Sequence, residues 1–299
     1  MDKIIVLFHG GLGNQLYQYC FYRWLQNKFS DKRIFADISE YKVLECHQGF
    51  EMFKVFPQVN IDIAGNRDLF KIYGEIPRIY RGYGKYFIEN RVRKPLNNKF
   101  FKVNTFNLFE EEILGETENV IRAVNEGKKY FSGYWTNKEY FLENEISLLR
   151  ELRFKKIENE KNRKFIEMVK NSRSVSIHVR RGDYIMAGLP LVEMDYYQRA
   201  VELICRRVKN PVFFLFSDDK DFIGGEFGWL KNKIIIDSNI RKDSYIDMQL
   251  MSYCEHNILA NSTFSTWAAL LNDNNNKIVI YPKQNNYKRM MLDNWLMIK

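Results

Sequence analysis

The sequence predicts an α/β protein built from two Rossmann-like halves, and three observations lead to this prediction. The chain has 299 residues, a length that suits one large domain or two domains of ordinary size. Residues 3–37 have the pattern of a strand, a glycine turn, a helix and a second strand. Strands and helices alternate again from about residue 174 to residue 281. Such repeated alternation favours parallel sheets covered by helices.

The N-terminal segment supplies the first strand–helix–strand unit. Residues 3–8 form a short apolar run, as expected of a buried parallel strand. A glycine-rich turn follows at residues 10–13, and residues 16–25 carry apolar side chains at helical spacing. A second strand, residues 33–36, ends at Asp37. This order favours a right-handed crossover between two parallel strands.

The C-terminal half alternates more regularly. Strands are predicted at residues 174–179, 212–216, 233–236, 258–260 and 278–281. Helices are predicted at residues 158–170, 195–208, 247–254 and 265–271, the second with Asp195 as its N-cap. Because the charged helix at 158–170 joins the two halves, we predict domains at residues 1–157 and 158–299.

The composition limits the classes of partner. The formal net charge is +9, and many Lys and Arg residues lie in surface-like stretches such as residues 90–102. One interpretation is a solvated face, and another is docking on anionic lipid headgroups or on a lipid-linked glycan. The sequence has no zinc-finger, RNA-binding or helix–turn–helix pattern, so nucleic acid is not an expected partner.

The sequence predicts neither a membrane span nor a signal peptide. No apolar run approaches the ~20 residues that a span needs. The run at residues 3–8 is too short for a signal peptide and is followed by glycines. We expect a cytoplasmic protein, with peripheral attachment to the inner membrane face as an open alternative. Cys20, Cys46, Cys205 and Cys254 are scattered without zinc or disulfide spacing, so we expect reduced thiols.

The glycine-rich loop at residues 10–15 is the first of four polar loops that follow predicted strands. Glycines let a ligand approach the main chain closely, and the free N–H groups of a helix N-terminus bind anions. A nicotinamide-dinucleotide fingerprint fits poorly, because Leu16 stands where its third glycine belongs. A tight structural turn is the other interpretation of this loop.

The second polar loop, residues 178–184, contains paired arginines directly after a predicted strand. Arginine carries a fixed charge and forked N–H donors that suit phosphate oxygens. Strand alternation places His178 and Arg180 on one face, and Arg181 points the other way if the strand continues. A structural Arg–Asp pair at the end of the strand is the alternative interpretation.

The third and fourth polar loops also follow predicted strands. Ser217 and Asp218 can accept hydrogen bonds from a base or a ribose, and residues 219–221 formally give the Asp-x-Asp pattern of a divalent-metal site. Residues 261–266 offer hydroxyl groups and free amides at a helix start, which makes a second phosphate cradle. Helix capping is the ordinary alternative for both loops.

Five segments of the chain occur together in one known family. They are GGLGNQLYQY at residues 10–19, YFSGYW at 130–135, HVRRGDY at 178–184, FSDD at 216–219 and ANSTFS at 260–265. In this order they resemble the bacterial α-1,2-fucosyltransferases, glycosyltransferase family 11. The family pattern usually has Trp-Trp after the last serine, whereas this chain has Thr266 followed by Trp267, a departure within the expected donor pocket.

The resemblance implies a GT-B architecture, in which two Rossmann-like domains face a central cleft. It implies a galactoside 2-α-L-fucosyltransferase that moves L-fucose from GDP-fucose to the 2-hydroxyl of a terminal galactose, with inversion. It implies no essential metal and no cofactor, since GDP-fucose is the donor substrate. The implied acceptor is a galactose-terminated oligosaccharide or a lipid-linked glycan. A fucosyltransferase with a different acceptor and a non-catalytic binder of nucleotide sugars or glycans stay open.

The resemblance also assigns residues to roles. The arginine that binds the donor diphosphate corresponds to Arg180, and positions associated with the nucleoside correspond to His178 and Asp247. The expected donor-binding residues are Gly13, Asn14, His178, Arg180, Ser217, Asp218, Asp247, Ser262, Thr263, Ser265 and Thr266. Tyr134 and Trp135 are expected on the acceptor side in the N-terminal half, with core packing as the alternative for both.

The reaction needs a group that stabilises charge and a group that accepts a proton. Negative charge builds on the β-phosphate as GDP leaves, and Arg180 is expected to stabilise it. The attacking hydroxyl calls for a general base, for which Asp183 ranks ahead of Glu193 and of Asp37, which is expected to face the cleft. Asp183 can equally serve to orient Arg180.

Overall fold

The computed structural model describes residues 2–42, 48–73, 108–110, 116–283 and 288–298. The chain divides into two compact units, Met1–Arg153 and Phe154–Lys299. The predicted boundary after residue 157 lies close to this division, and the assignment of acceptor and donor binding to the two halves stays a prediction. The basic stretch at residues 90–102 lies outside the described residues, as does Cys46.

Parallel strands form the sheet of the first unit. Within its described residues the strands are β1 (Lys3–Leu7), β2 (Arg33–Asp37), β3 (Leu108–Glu110) and β4 (Tyr130–Ser132). Their spatial order is β2-β1-β4-β3. The predicted strand–helix–strand opening is confirmed, since β1 pairs in parallel with β2 from Lys3 opposite Arg33 to Leu7 opposite Asp37.

Helices of very different length accompany this sheet. They are α1 (Leu12–Lys28), α2 (Met52–Val55), α3 (Asn66–Tyr73), α4 (Thr117–Asn125), α5 (Lys138–Leu142) and α6 (Glu145–Glu151), with a short 3-10 helix at Ser39–Lys42. Helix α1 is buried over most of its length. Its Phe21 ring stacks on the Trp135 ring with 3.7 Å between centroids, and both rings are fully buried. Trp135 therefore belongs to the core of this unit, which is the packing alternative expected for it.

The second unit contains a doubly wound parallel sheet. Its described strands are β5 (Arg173–Val179), β6 (Pro211–Ser217), β7 (Lys233–Ile235), β8 (His256–Ile258), β9 (Val279–Pro282) and β10 (Leu296–Ile298). Their spatial order is β10-β9-β8-β5-β6-β7. The order of the strands reverses between β5 and β8, and ligands of open α/β sheets bind in the crevice outside the strand ends at such a point.

The helices of the second unit follow its strands. They are α7 (Glu160–Lys170), α8 (Gly182–Met186), α9 (Met194–Arg207), α10 (Lys220–Glu226), α11 (Tyr245–Tyr253) and α12 (Thr263–Leu270), with short 3-10 helices at Arg241–Asp243 and Lys288–Met290. The prediction of Asp195 as an N-cap is wrong. Helix α9 begins after Glu193, and Asp195 lies in its first turn, where its carboxylate pairs with Arg199 one turn later.

Packing of α9 and α10 against the central strands forms the core of the second unit. Ile177 of β5 and Leu215 of β6 are fully buried together with Ala200 and Ile204 of α9 and Ile223 of α10. This apolar contact fixes the helices on the sheet, because removing such side chains from water stabilises about 25 cal/mol per Å². It thereby also fixes the loops that enter those helices from the strand ends.

The predicted fold class is confirmed, since both units are α/β and both sheets are parallel. The central cleft concerns the two units together and stays a prediction. Over the described residues, the structure has no helix that is both long and apolar enough to cross a membrane. The cysteines at positions 20, 205 and 254 are free thiols, of which Cys205 is exposed.

Candidate functional site

Three loops meet at the carboxyl ends of neighbouring strands in the second unit. Strand β5 lies between β6 and β8, and the β5–β6 register runs to Val179 opposite Ser217. The segment after β5 therefore starts beside the segment after β6. The hydroxyl of Tyr184 donates a 2.7 Å hydrogen bond to the carbonyl oxygen of Asn261, which joins the first loop to the one after β8. We call this group of loops the strand-end site.

Arg180 lies at the centre of the strand-end site. One guanidinium nitrogen, Nη1, lies 3.0 Å from Oδ2 of Asp218, and the other, Nη2, lies 2.5 Å from Oδ2 of Asp183. Its guanidinium also sits 5.7 Å from the centre of the Tyr184 ring. The side chain remains 26% exposed, so a ligand can reach a cation whose position is already fixed.

Asp218 joins the loop after β6 to the loop after β5. Its Oδ1 accepts a 2.9 Å hydrogen bond from the backbone N–H of Arg181. Burial alone would raise the pKa of Asp218, but the Arg180 charge and the N–H groups of Arg181 and Gly182 hold that pKa below its ordinary value. A Cβ at Gly182 would lie 3.1 Å from Oδ2 of Asp218, so the carboxylate occupies space that a side chain would need.

Arg181 points to partners other than those of Arg180. Its Nε donates a 3.2 Å hydrogen bond to Oδ2 of Asp219, and its guanidinium lies 3.6 Å from the centre of the Phe222 ring. The other oxygen of Asp219 accepts from the backbone N–H of Phe222 and caps α10. The capping alternative thus accounts for Asp219, which is the first carboxylate of the formal Asp-x-Asp pattern.

His178 lies one residue before the end of β5 and is almost fully buried. Burial, followed by the nearby Arg180 charge, lowers the pKa of His178 to about 3, so the imidazole is neutral at neutral pH. Its Nδ1 is buried and has no hydrogen-bond partner among the described residues. A neutral ring with an unused nitrogen can accept or donate one hydrogen bond to a ligand.

Asp247 is a buried carboxylate in α11 beside the strand-end site. Its Oδ1 accepts a 2.8 Å hydrogen bond from Nδ2 of Asn239, and its Oδ2 lies 3.8 Å from Nζ of Lys220. Burial raises the pKa of Asp247 to about 7, against the opposing effects of Lys220 and Asn239. Lys220 also donates to the carbonyl oxygen of Ile236, so its ammonium group is positioned by the strand edge.

The loop after β8 is a capped turn. The Ser262 Oγ accepts from the backbone N–H of Phe264, and the hydroxyls of Ser265 and Thr266 donate to the Ser262 carbonyl oxygen at 3.2 Å and 3.0 Å. The hydroxyls of Ser262, Ser265 and Thr266 therefore hold the turn itself. Thr263, between them in the sequence, is partly exposed. The free ends of backbone N–H groups at a helix start can bind an anion, and such a role for the start of α12 stays a prediction. Ser217, on the neighbouring strand, likewise uses its Oγ to accept from the Asp219 N–H.

The glycine loop of the first unit is shaped by its own hydrogen bonds. Gly10 has a φ of +77°, and a Cβ there would lie 2.6 Å from Nδ2 of Asn14, so both the backbone and the close approach require glycine. The Gly10 carbonyl oxygen accepts from Tyr41 at 2.8 Å and from Gln15 at 3.1 Å. The backbone N–H of Asn14 bonds to the Gly11 carbonyl oxygen, and Gly13 is buried inside α1.

An exposed aromatic ring lies close to this loop. Tyr134 is 44% exposed, and its ring centre lies 4.6 Å from that of His9. The His9 ring nitrogen Nε2 lies 3.3 Å from the Gly133 carbonyl oxygen, and Gln18 donates to the same oxygen. Tyr134 therefore has an accessible face on a fixed support, unlike the buried ring of Trp135.

The family follows from comparison with known proteins. A model of the glycosyl transferase family 11 matches residues 3–299. This chain belongs to glycosyl transferase family 11. The family predicted from the five sequence segments is thereby confirmed, and the protein is a glycosyltransferase.

Full-length relatives of this family 11 chain are known in Escherichia coli. The O-antigen biosynthesis glycosyltransferase WbnK is 28% identical and is aligned over 96% of this chain and 97% of its own length. An alpha-1,2-colitosyltransferase is 30% identical over 94% of this chain and 92% of its own length. The mouse galactoside 2-alpha-L-fucosyltransferase Sec1 is 29% identical over 32% of this chain and 28% of its own length.

Solved structures resemble the fold at low sequence identity. A crystal structure of POFUT1 in complex with GDP has a TM-score of 0.50 and 13% identity, and covers 94% of this chain and 98% of its own. A crystal structure of the α-1,6-fucosyltransferase NodZ soaked with GDP-fucose has a TM-score of 0.49 and 15% identity, with coverage of 96% and 97%. The likeness to POFUT1 concerns the fold alone.

Charged side chains are the groups that the structure describes at this family 11 site. In the part of the chain that the structure describes, no three His, Cys, Asp or Glu side chains lie together as a group that could hold a metal ion. The fixed cations at the strand ends are Arg180, Arg181 and Lys220. Independence from metal stays a prediction.

The structure separates the candidates for general base. Asp183 lies on the Arg180 guanidinium and is 46% exposed. The expectation that Asp37 faces the cleft between the two units stays a prediction. The Asp37 carboxylate is buried in the first unit, where it accepts hydrogen bonds from the Tyr130 hydroxyl and the Ser39 N–H, both at 2.9 Å. Glu193 is exposed just before α9.

Several polar residues of the site have no motif that sequence reasoning could use. Lys220 appears in the sequence only as the middle residue of the Asp-x-Asp pattern, and Asn239 lies in a loop between two predicted elements. His9 directly follows the strand predicted at residues 3–8, and this position was the one available signal for it. Their proximity to the assigned residues depends on the packing of separate elements.

Proposed function

We propose that this chain transfers L-fucose from GDP-fucose to the 2-hydroxyl of a terminal galactose, with inversion and without a metal. The observation that carries the proposal is Arg180, an accessible cation fixed by two carboxylates at the reversal point of a doubly wound sheet. Family 11 membership and relatives whose names specify α-1,2 transfer support the reaction class. The proposed acceptor is a galactose-terminated oligosaccharide or a lipid-linked glycan.

Departure of GDP creates charge that Arg180 is placed to stabilise. As the bond from the anomeric carbon to the β-phosphate oxygen breaks, negative charge grows on that phosphate. A guanidinium already fixed in position stabilises this charge without reorganisation. The partly exposed Arg180–Asp183 pair contributes about 1 kcal/mol or less, so a diphosphate can displace Asp183 at little cost. Asp218 can keep hold of Nη1 during this exchange.

Asp183 serves the proposed reaction in one of two ways. Once released from Arg180, its carboxylate can accept the proton of the attacking galactose hydroxyl. While it pairs with Arg180, it orients the guanidinium. We propose the first role, because the residue is 46% exposed and its carboxylate contacts the cation that would hold the diphosphate. The pH dependence of the rate separates the two roles.

The remaining donor contacts follow the polarity of each position. We propose that the neutral His178 and the Asp247 carboxylate bind the nucleoside, and that Ser217, Asp218, Ser262, Thr263, Ser265 and Thr266 shape the loops around the diphosphate. From the first unit, Gly13 and Asn14 are proposed as further donor contacts, and Tyr134 as a surface on which the acceptor sugar stacks.

A second donor is favoured by one comparison. The alpha-1,2-colitosyltransferase of Escherichia coli is 30% identical to this chain across nearly its whole length. Colitose lacks the 3-hydroxyl of fucose, so a colitose enzyme and a fucose enzyme share the diphosphate site and differ at one hydroxyl contact. We therefore keep GDP-colitose transfer as the alternative activity.

The deciding experiment is a donor and acceptor screen. The purified full chain is incubated with GDP-fucose or GDP-colitose and with oligosaccharides that end in galactose or in other sugars, with EDTA present. Transfer of fucose to galactose with an α-1,2 linkage, assigned by NMR, supports the proposal. A preference for GDP-colitose over GDP-fucose would show that the proposed donor is wrong and the alternative donor is right. Products on other acceptors would show that the proposed acceptor is wrong. Binding of the donor without transfer or hydrolysis would show that the protein is a binder and not an enzyme.

A further inference from the structure

A pair of buried asparagines lies behind Asp247. Nδ2 of Asn162 donates a 2.8 Å hydrogen bond to Oδ1 of Asn239, and Nδ2 of Asn239 donates back to Oδ1 of Asn162 at 3.1 Å. The same Nδ2 of Asn239 donates its second hydrogen to Oδ1 of Asp247 at 2.8 Å. Asn162 belongs to α7, Asn239 to the loop after β7 and Asp247 to α11, and all three are buried. We call this arrangement the Asn162–Asn239 pair.

The pair fixes which face of the Asn239 amide meets Asp247. If the Asn239 amide rotated by half a turn, its carbonyl oxygen would face the carboxylate and also the oxygen of Asn162. The Asn162 amide is itself held, because its Oδ1 accepts from the Ser238 hydroxyl at 3.4 Å. Two buried acceptors in contact would each lose a hydrogen bond, at a cost of about 1–3 kcal/mol. Asn162 therefore keeps Asn239 as a donor toward Asp247.

The other oxygen of Asp247 remains available. Oδ2 lies 3.8 Å from the Lys220 ammonium, which is an ion-pair distance longer than a direct hydrogen bond. Lys220 meanwhile donates to the Ile236 carbonyl oxygen. The nearby surface charges Lys161 and Asp237 satisfy each other at 2.7 Å. Asp247 thus has Oδ2 available as an acceptor, while its Oδ1 is occupied by the Asn239 amide.

The charge state of Asp247 determines which nucleobase edge it can bind. An ionised carboxylate only accepts hydrogen bonds, whereas a protonated one also donates. Guanine presents two neighbouring N–H donors on its Watson–Crick edge, and adenine presents one donor and one acceptor there. The available Oδ2 of an ionised Asp247 can accept from both guanine N–H groups, whereas beside adenine it would lie against the acceptor N1. An ionised Asp247 therefore suits guanine, and a protonated one suits adenine better.

We propose that Asn239, held in register by Asn162, is a positioning residue that keeps Asp247 an acceptor and so sets the preference for a guanine over an adenine nucleotide. This proposal rests on the proposed function, which requires a GDP-linked donor. Removing the Asn239 donor leaves Asp247 buried with Lys220 alone, and burial then raises the pKa of Asp247 further above about 7. Neither asparagine needs to touch the ligand.

The test is the ratio of GDP to ADP affinity, measured by titration calorimetry on the full chain. Asn239→Leu is expected to lower this ratio by about tenfold or more, the effect of losing one hydrogen bond to a charged group. Asn162→Leu is expected to lower it less. Asn272→Leu is the matched control, because Asn272 is equally buried and its amide bonds to Asn257 and Cys254 away from Asp247. It should lose stability and keep the wild-type ratio.

A second measurement separates positioning from general damage. In the Asp247→Asn background, the added Asn239→Leu change should leave the ratio of GDP to ADP affinity unchanged, because Asn239 acts only through the Asp247 carboxylate. In wild type, GDP affinity should fall as the pH falls below about 7, and in Asn162→Leu this fall should begin at higher pH. The Asn162 variant also covers the case in which Asn239→Leu does not fold.

The outcomes distinguish the two proposals. A wild-type protein that binds GDP no better than ADP overturns the proposed function, whatever the variants do. A wild-type preference for GDP that survives in both asparagine variants overturns the positioning role and leaves the proposed function standing. Loss of the ratio in the Asn272 control to the same degree also overturns the positioning role, since any buried amide would then produce the effect.

Discussion

Nη1 of Arg180 lies 3.0 Å from Oδ2 of Asp218, so the cation proposed to bind the donor phosphate is held by a carboxylate that directly follows the neighbouring strand. The Arg181 and Gly182 N–H groups help keep the pKa of Asp218 low, which keeps this carboxylate charged. A guanidinium fixed in this way needs no rearrangement when charge develops on a leaving group.

Replacing Arg180 should remove most transfer. Arg180→Ala is expected to lower kcat by about 10³-fold, because the developing phosphate charge loses its fixed donor. Arg180→Lys should also lose most activity, since a lysine cannot reproduce the fork that holds Asp218 with one nitrogen and leaves the other for the diphosphate. Initial rates with saturating donor measure both. Arg206→Ala is the control, because that arginine is 77% exposed on α9. Near-normal turnover in Arg180→Ala would contradict the proposed role of Arg180 in stabilising the phosphate charge.

Asp183→Asn should change the shape of the pH–rate profile. If Asp183 accepts the proton of the acceptor hydroxyl, its replacement by a neutral amide removes the base on which the acid limb of the wild-type profile depends. The asparagine variant should lose about 10²-fold in kcat/KM and should lack that acid limb. Rates between pH 4.5 and 9 with GDP-fucose and a galactoside measure this. An acid limb retained with a modest loss would assign Asp183 to orienting Arg180 instead.

A methyl group at position 182 should disturb Asp218. The Cβ of Gly182→Ala would lie 3.1 Å from Oδ2 of Asp218, so the carboxylate must move by a few tenths of an ångström and its contact with the Arg180 guanidinium is disturbed. Overpacking of this kind costs about 1–3 kcal/mol, and we expect about a tenfold loss in kcat/KM. Gly224→Ala in α10 is the matched control, since a Cβ there meets nothing within 4 Å. Equal activity of both alanine variants would contradict the tight fit.

Glu51 should make the first unit less stable at high pH. Burial raises the pKa of Glu51 from 4.5 to about 7, and its Oε1 has no hydrogen-bond partner among the described residues. Between pH 4.5 and about 7, the Glu51 carboxyl therefore keeps its proton in the native state and loses it in the unfolded state. The free energy of unfolding falls as the pH rises through that window, by roughly 3 kcal/mol for this group.

Glu51→Gln should remove that pH dependence. Relative to wild type, the variant is expected to be more stable at pH 8 and nearly equal at pH 5. Urea unfolding monitored by circular dichroism at the two pH values gives the free energy of unfolding of variant and wild type. The difference between the two proteins separates the effect of Glu51 from that of the other buried groups. Glu226→Gln, at an exposed position in α10, should leave the wild-type slope unchanged. An equal slope in Glu51→Gln and wild type would contradict the buried-carboxyl account.

Elements with a strong local pattern were predicted closely from the sequence. The strand expected at residues 174–179 is β5 (Arg173–Val179), and the helix expected at 158–170 is α7 (Glu160–Lys170). The three-residue strand β10 and the five-residue helix α8 were not predicted. Segments so short hold less than two periods of any repeat, and neighbouring strands or loops decide their conformation instead.

The interior positions of polar residues were the harder part of the site. Asp37 ends a predicted strand, and the sequence could not show that Tyr130, from the parallel strand β4, would occupy its carboxylate. Trp135 follows an exposed tyrosine, yet its ring stacks inside the core on Phe21. In both cases the deciding partner lies about a hundred residues away in the chain, where no local pattern reaches.

By itself the sequence determined the family, the strand–helix order and the placement of the polar loops after strands, because motifs and periodicity are properties of consecutive residues. Only the tertiary structure decided the partners within the site. It joined Arg180 to Asp218 and the Asn162–Asn239 pair to Asp247, the members of that pair being 77 residues apart. Sheet register and helix packing bring such side chains together, and both depend on contacts among many distant residues at once.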